Sequence, residues 1–129
     1  MIMQAQKQRY YTPEEYLEVE INSEERHEYI DGEVIPVTGG TPNHNRIAGN
    51  FYATLNFALK GKPFDVFFTD QRLWIPKKRI YTYPDVLVVQ GDLQLQEVDA
   101  LSSVQRFGSS VVPGVRVKAF NFTSVTDSV

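Results

Sequence analysis

Cysteine is absent from this chain, and that one absence removes a disulfide framework, a thiolate zinc site and a cysteine nucleophile. Histidine is scarce: His27 and His44 are the two present, too few for a histidine-rich metal site. No run of ~18 apolar residues occurs, so no helical membrane span is expected. Met1 to Arg9 is polar and lacks the apolar core of a signal peptide, which makes a cytoplasmic protein the expectation. A basic surplus is missing as well, the net charge being −3. Nucleic-acid binders gain much of their affinity by neutralising phosphates, so the global balance argues against a dedicated binder and leaves room for a local basic patch. Glutamate stops at Glu97.

What is present suits one soluble domain of 129 residues, with 42% hydrophobic and 22% charged residues. Thr12-Pro13-Glu14-Glu15 reads as an N-cap, a proline at the first helical position and a capping-box glutamate. Tyr16, Leu17 and Val19 to Ile21 supply that helix with apolar contacts, and it should stop near Asn22-Ser23. Two short β-type runs flank Asp31-Gly32, a pair suited to the positive φ angles of a type I′ turn, which predicts a hairpin. Thr41-Pro42 opens a second helix. Ile47, Phe51, Leu55 and Leu59 recur every four residues, so a buried central helix from Pro42 to Lys60 is expected, with Gly61 as its stop.

Phe64 to Thr69 and Gln71 to Ile75 read as strands, Lys77-Lys78-Arg79 as a basic turn, and Val86 to Val89 as a central strand covered on both faces. The order α-β-β-α-β-β-β predicts an α/β domain with a mixed sheet and flanking helices. Beyond Glu97 the chain turns rich in valine and serine, and only Val111-Val112 and Val115 to Phe122 offer weak strand signals. Residues 10–97 therefore form the expected domain and residues 98–129 an atypical tail.

Few residues offer chemistry. Asp85 opens an apolar strand directly after Pro84, where it either binds a hard cation such as Mg²⁺ or accepts backbone hydrogen bonds. Glu28 shares a strand face with Ile30, so it points either into a polar site or into solvent. His44, in the first turn of the second helix, either meets an anion or metal or is simply polar there. Lys77, Lys78 and Arg79 form the basic cluster: phosphate contacts, or a solvated turn. Gly39-Gly40-Thr41 lacks the Gly-Lys-Ser/Thr ending of a phosphate loop and is set aside.

Together these motifs resemble the Uma-type restriction-endonuclease family of the PD-(D/E)XK nuclease superfamily. The resemblance runs from Tyr11 to about Glu97, through Thr12-Pro13-Glu14-Glu15-Tyr16, His27 to Glu33, Thr38-Gly39-Gly40 to His44, Phe68 to Gln71 and Tyr83-Pro84-Asp85-Val86. It implies a restriction-endonuclease-like fold, incomplete at its carboxy terminus, and Mg²⁺-dependent hydrolysis of DNA, with Mn²⁺ as a substitute. Asp85 and Glu28 would be metal ligands and catalytic, His44 a third catalytic residue, and Lys77, Lys78 and Arg79 nucleic-acid contacts. DNA is the implied partner, a homodimer is admitted, and no membrane is involved.

Family members continue past the Pro-Asp strand with a Glu-Val-x-Ser segment and a helix bearing Asp and Lys. Here the nearest echo of a Glu-x-Lys is Arg116-Val117-Lys118, arginine standing in the acid's place. The expectation is an altered, frameshift-like tail and an impaired or inactive endonuclease. The alternative function is a non-catalytic interaction or self-association module, and a further alternative makes the tail a final strand that brings Lys118 beside Asp85.

Overall fold

The computed structural model describes residues 9–96, 110–112 and 116–122. Val115 and Pro113-Gly114 of the expected tail lie outside the described residues.

Local signals account for the first elements. Helix α1, Pro13–Asn22, is held by the expected capping box: Glu15 N–H donates to Thr12 Oγ1 at 3.1 Å and Thr12 N–H to Glu15 Oε1 at 2.8 Å. Strands β1, His27–Ile30, and β2, Glu33–Pro36, form the expected hairpin, with Glu28 opposite Ile35. At its turn Asp31 and Gly32 have φ of 43° and 101°. A side chain at Gly32 would put its Cβ 2.8 Å from the Tyr10 ring, so only glycine suits the place.

Helix α2, Pro42–Ala58, is followed by β3, Phe64–Phe68; β4, Leu73–Ile75; β5, Ile80–Thr82; β6, Val86–Gln90; and β7, Val117–Phe120. The chain is α/β as expected, and its strands fall into two antiparallel sheets, ordered β2-β1-β5-β4 and β3-β6-β7. Val111 adds to the edge of the first sheet, bridging Leu73 of β4 in parallel and Leu95, outside both sheets, antiparallel. Strand β6 is central in its sheet, with Val86, Leu87 and Val89 buried, as its apolar run implied.

Helix α2 differs from its expected buried position. Ala48 alone among its residues is buried, and Phe57 is 81% exposed. The helix lies across one face of the β3-β6-β7 sheet, touching it through Tyr52 on Phe68 and Phe51 on Phe120, ring centroids 5.3 and 4.8 Å apart. The period-four stripe is thus half-covered, and the other face meets solvent.

Two cores result. Tyr16, Leu17, Tyr29 and Tyr81 pack between α1 and the first sheet, with Trp74 stacked on Tyr81 at 4.1 Å; Leu73, Leu87, Val89 and Val111 form the second. In α1, Val19, expected as an apolar contact, is 40% exposed, while Glu20 beside it is buried. Hydrogen bonding explains the exchange. Glu20 Oε2 accepts from Tyr83 OH and from His27 N–H, each at 2.7 Å, and Glu20 Oε1 lies 2.9 Å from His27 Nδ1. The buried Arg72 donates from Nη1 to Tyr83 OH and from Nε to Ser110 Oγ. Among the described residues no buried side-chain polar atom is left without a partner, so the charges sit in a satisfied network.

Candidate functional site

The two sheets and the start of α2 converge on Asp85. Buried Pro84 fixes the approach to β6, and the Asp85 carbonyl accepts Thr69 N–H at 3.0 Å. The carboxylate is mostly buried, and its Oδ2 has two neighbours, each at 2.8 Å: His44 Nε2 and the donating Phe122 N–H. Asp85 N–H in turn donates to Asn121 Oδ1 at 3.2 Å.

His44 is placed by the helix cap. Thr41 Oγ1 accepts its backbone N–H at 3.2 Å, which turns the imidazole back over the helix start and onto Asp85. Gly40 makes room, because a Cβ there would lie 2.5 Å from His44 Nδ1. Glu28 faces the same cleft from β1, and Thr82 Oγ1 on β5 donates to its Oε2. Glu28, His44, Asp85 and Asn121 thus line one cavity of about 380 Å³, floored by Thr38 to Thr41 and Tyr83.

Of the residues singled out by sequence, Glu28, His44 and Asp85 are brought together. Lys77, Lys78 and Arg79 are not. They form a 3₁₀ turn, Pro76–Lys78, and a left-handed Arg79 at the far end of β5, where Arg79 Nε donates to Asp31 Oδ1 at 3.1 Å and Nη2 to Tyr29 OH. Proximity in the chain misled here, since β5 carries the backbone away from that turn before Asp85 is reached. The cation beside the cleft is Arg26. Its Nη1 donates to Thr69 O at 2.7 Å and Asp70 Oδ1 at 3.1 Å, and its guanidinium lies over the Tyr83 ring.

The tail contributes a strand inside the expected Val115 to Phe122 span, and residues other than Lys118 reach the cleft. β7 pairs with β6 so that Lys118 faces Val88 and Phe120 faces Val86. Lys118 is therefore about 10 Å along the strand from Asp85, where with Arg116 it borders a separate groove beside Phe64, Val88 and Val117. Arg116-Val117-Lys118 is thus no substitute for an acid and lysine at the cleft. Asn121 and Phe122 take that place, and reading them from sequence requires the register.

Among the described residues the donors at the cleft do not suit a divalent cation. Mg²⁺ takes oxygen ligands in near-octahedral array, yet among the described residues no group of three or more His, Cys, Asp or Glu side chains comes together to hold an ion. Asp85 Oδ2 is already shared between an imidazole and a backbone amide. What the cleft can do unaided is orient an imidazole: Asp85 holds His44 through Nε2, fixing the ring as a carboxylate fixes a histidine base. Among the described residues no helix is long and apolar enough to cross a membrane.

Comparison with known proteins follows the same lines. The pattern of the Uma2 family, described as "Putative restriction endonuclease", matches residues 13–112. The uncharacterized protein sll1609 of Synechocystis sp. is 40% identical over 78 residues, 60% of this chain and 44% of that protein. The uncharacterized protein slr1290 of the same organism is 35% identical over 77 residues, covering 40% of its length. The chain thus spans less than half the length of these relatives. A crystal structure of a putative nuclease belonging to DUF820 from Anabaena variabilis superimposes with a TM-score of 0.54 at 23% identity, over 62% of this chain and 43% of that one, a likeness of fold.

Proposed function

The chain belongs to the Uma2 family of putative restriction endonucleases, and we propose that its described residues form a DNA-facing cleft of endonuclease type in which phosphodiester hydrolysis is impaired. DNA is the substrate class that the family implies. Glu28, His44 and Asp85 are the residues that face it, with Arg26 the cation at its edge.

One observation carries this reading: Asp85 Oδ2 is held at 2.8 Å by both His44 Nε2 and Phe122 N–H. A phosphodiester brought to two carboxylates is repelled unless a cation offsets the charge, and Mg²⁺ or Mn²⁺ would supply that offset and a more acidic water. Among the described residues the carboxylates lining the cleft are two, Glu28 and Asp85, and both accept from donors of their own chain. Asp85 orients His44, Thr82 steadies Glu28, and Tyr83 closes the cavity floor, so the cleft keeps its shape without the donors needed for efficient cleavage. The groove of about 400 Å³ beside Phe64, Val88 and Val117 favours a second reading, a non-catalytic interaction or self-association module that retains the fold.

Supercoiled plasmid separates the two outcomes. With Mg²⁺ or Mn²⁺, the wild-type chain is expected to nick no faster than Asp85→Ala. Wild-type nicking that Asp85→Ala abolishes would show an active metal nuclease instead.

A further inference from the structure

We propose that Asn121 is the selectivity-determining residue of the cleft, a neutral carboxamide that keeps it from taking a divalent cation. The inference rests on the reading of the cleft as an incomplete endonuclease site. Val86 faces Phe120 in the β6–β7 register, so the next antiparallel step sets Asn121 across from Asp85. The contact is direct, Asp85 N–H donating to Asn121 Oδ1 at 3.2 Å. An N–H can only donate, so this bond fixes which way the amide lies. One of the two Oδ1 lone pairs is taken by the backbone, the carboxamide brings no negative charge, and its other end is an NH₂ group without a lone pair for a metal.

The residues flanking Asn121 are packed. Phe120 and Phe122, on either side of Asn121, both pack on Phe51 of α2, with centroids 4.8 and 5.2 Å away. Asn121, just past the end of β7, instead lines the cavity with Glu28, His44 and Asp85. His44 and Asp85 are already in contact, and a carboxylate at 121 would make them three. It would also retain an oxygen for Asp85 N–H, so the local backbone has no reason to move. The change adds one negative oxygen donor and removes two N–H donors, which is the difference between a cleft indifferent to hard cations and one that attracts them.

The test is Mn²⁺ binding, read by the paramagnetic signal of the free ion and by the thermal midpoint of the folded chain. N121D is expected to bind Mn²⁺ about tenfold or more tightly than wild type, in line with a carboxylate added to the lining of the same cavity, and to melt higher with the ion than without it. The double variant D85N/N121D is expected to fall back to wild type. Equal, weak binding by wild type and N121D overturns the assignment of Asn121 while leaving the incomplete-site reading intact. Tight binding by wild type that is lost in Asp85→Ala overturns that underlying reading instead. Should N121D be unfolded without the ion, folding on addition of Mn²⁺, followed by circular dichroism, supports the assignment, and failure to fold at any Mn²⁺ concentration overturns it.

Discussion

Glu20→Ala is expected to cost about 3–5 kcal/mol of folding stability, because it removes one partner from a buried charged network. Glu20 is 1% exposed and Arg72 is 1% exposed. The Glu20 carboxylate accepts from Tyr83 OH and His27 N–H, each at 2.7 Å, and from Tyr16 OH at 3.3 Å. Alanine leaves Tyr83 OH and His27 N–H without this acceptor, at roughly 1–3 kcal/mol for each that finds no water, while Tyr16 OH keeps the His27 carbonyl. It also withdraws the negative charge that the Arg72 guanidinium reaches through Tyr83 OH. Since a domain of this size is typically stable by about 5–15 kcal/mol, the variant should be partly unfolded at ordinary temperature. Urea unfolding followed by the fluorescence of Trp74 measures the effect. Glu20→Gln keeps two acceptor sites and should lose less. A loss below about 1 kcal/mol for Glu20→Ala would mean that the network is decorative.

The second large effect is alkaline. Burial pushes the hydroxyls of Tyr81 and Tyr83 up to about 12 from an ordinary value of 10.0, and that of Tyr16 higher still. In Tyr83 the Arg72 charge works against burial, and its own hydrogen bond to Glu20 works with it. A raised folded-state pKa means that the folded chain holds its proton more tightly than the unfolded chain. The stabilisation is therefore complete below about pH 10 and is lost as pH rises toward about 12. For Tyr81 and Tyr83 the displacement corresponds to about 2–3 kcal/mol each. The thermal midpoint should fall steeply over that window, with tyrosinate absorbance from these buried rings appearing together with unfolding. A midpoint that stays level from neutral pH to pH 12 would contradict the stacked tyrosine core.

Much of the fold was legible because its signals are local. The Thr12–Glu15 box and the positive-φ pair Asp31-Gly32 each carry their own geometry, and the apolar run after Asp85 could only be an interior strand. The burial of Glu20 was not read from sequence, for a physical reason. Hydropathy counts a carboxylate as outward-facing, whereas its partners, Tyr83 and the His27 backbone, arrive from distant parts of the chain. The extent of α2 was read well and its burial was not, since periodicity reports a stripe and leaves its depth to the neighbouring sheet.

The same division holds at the cleft. Glu28, His44 and Asp85 stood out as chemistry in odd places, and folding gathers them into one cavity. Lys77 to Arg79 stood out as the basic cluster, and a three-residue strand, β5, lies between them and the Asp85 cleft. Asn121 carries no signal until the β6–β7 register is known. An amide is unremarkable in a valine- and serine-rich tail, and acquires meaning by standing across from Asp85.

Crystals of the wild-type chain grown or soaked with Mn²⁺ and measured for anomalous scattering bear most directly on the claim that this cleft has the shape of an endonuclease site without its cation. The expected result is His44 Nε2 and Phe122 N–H still on Asp85 Oδ2, with no anomalous peak between Asp85 and Glu28. A Mn²⁺ ion bound to Asp85, with His44 displaced, would contradict it.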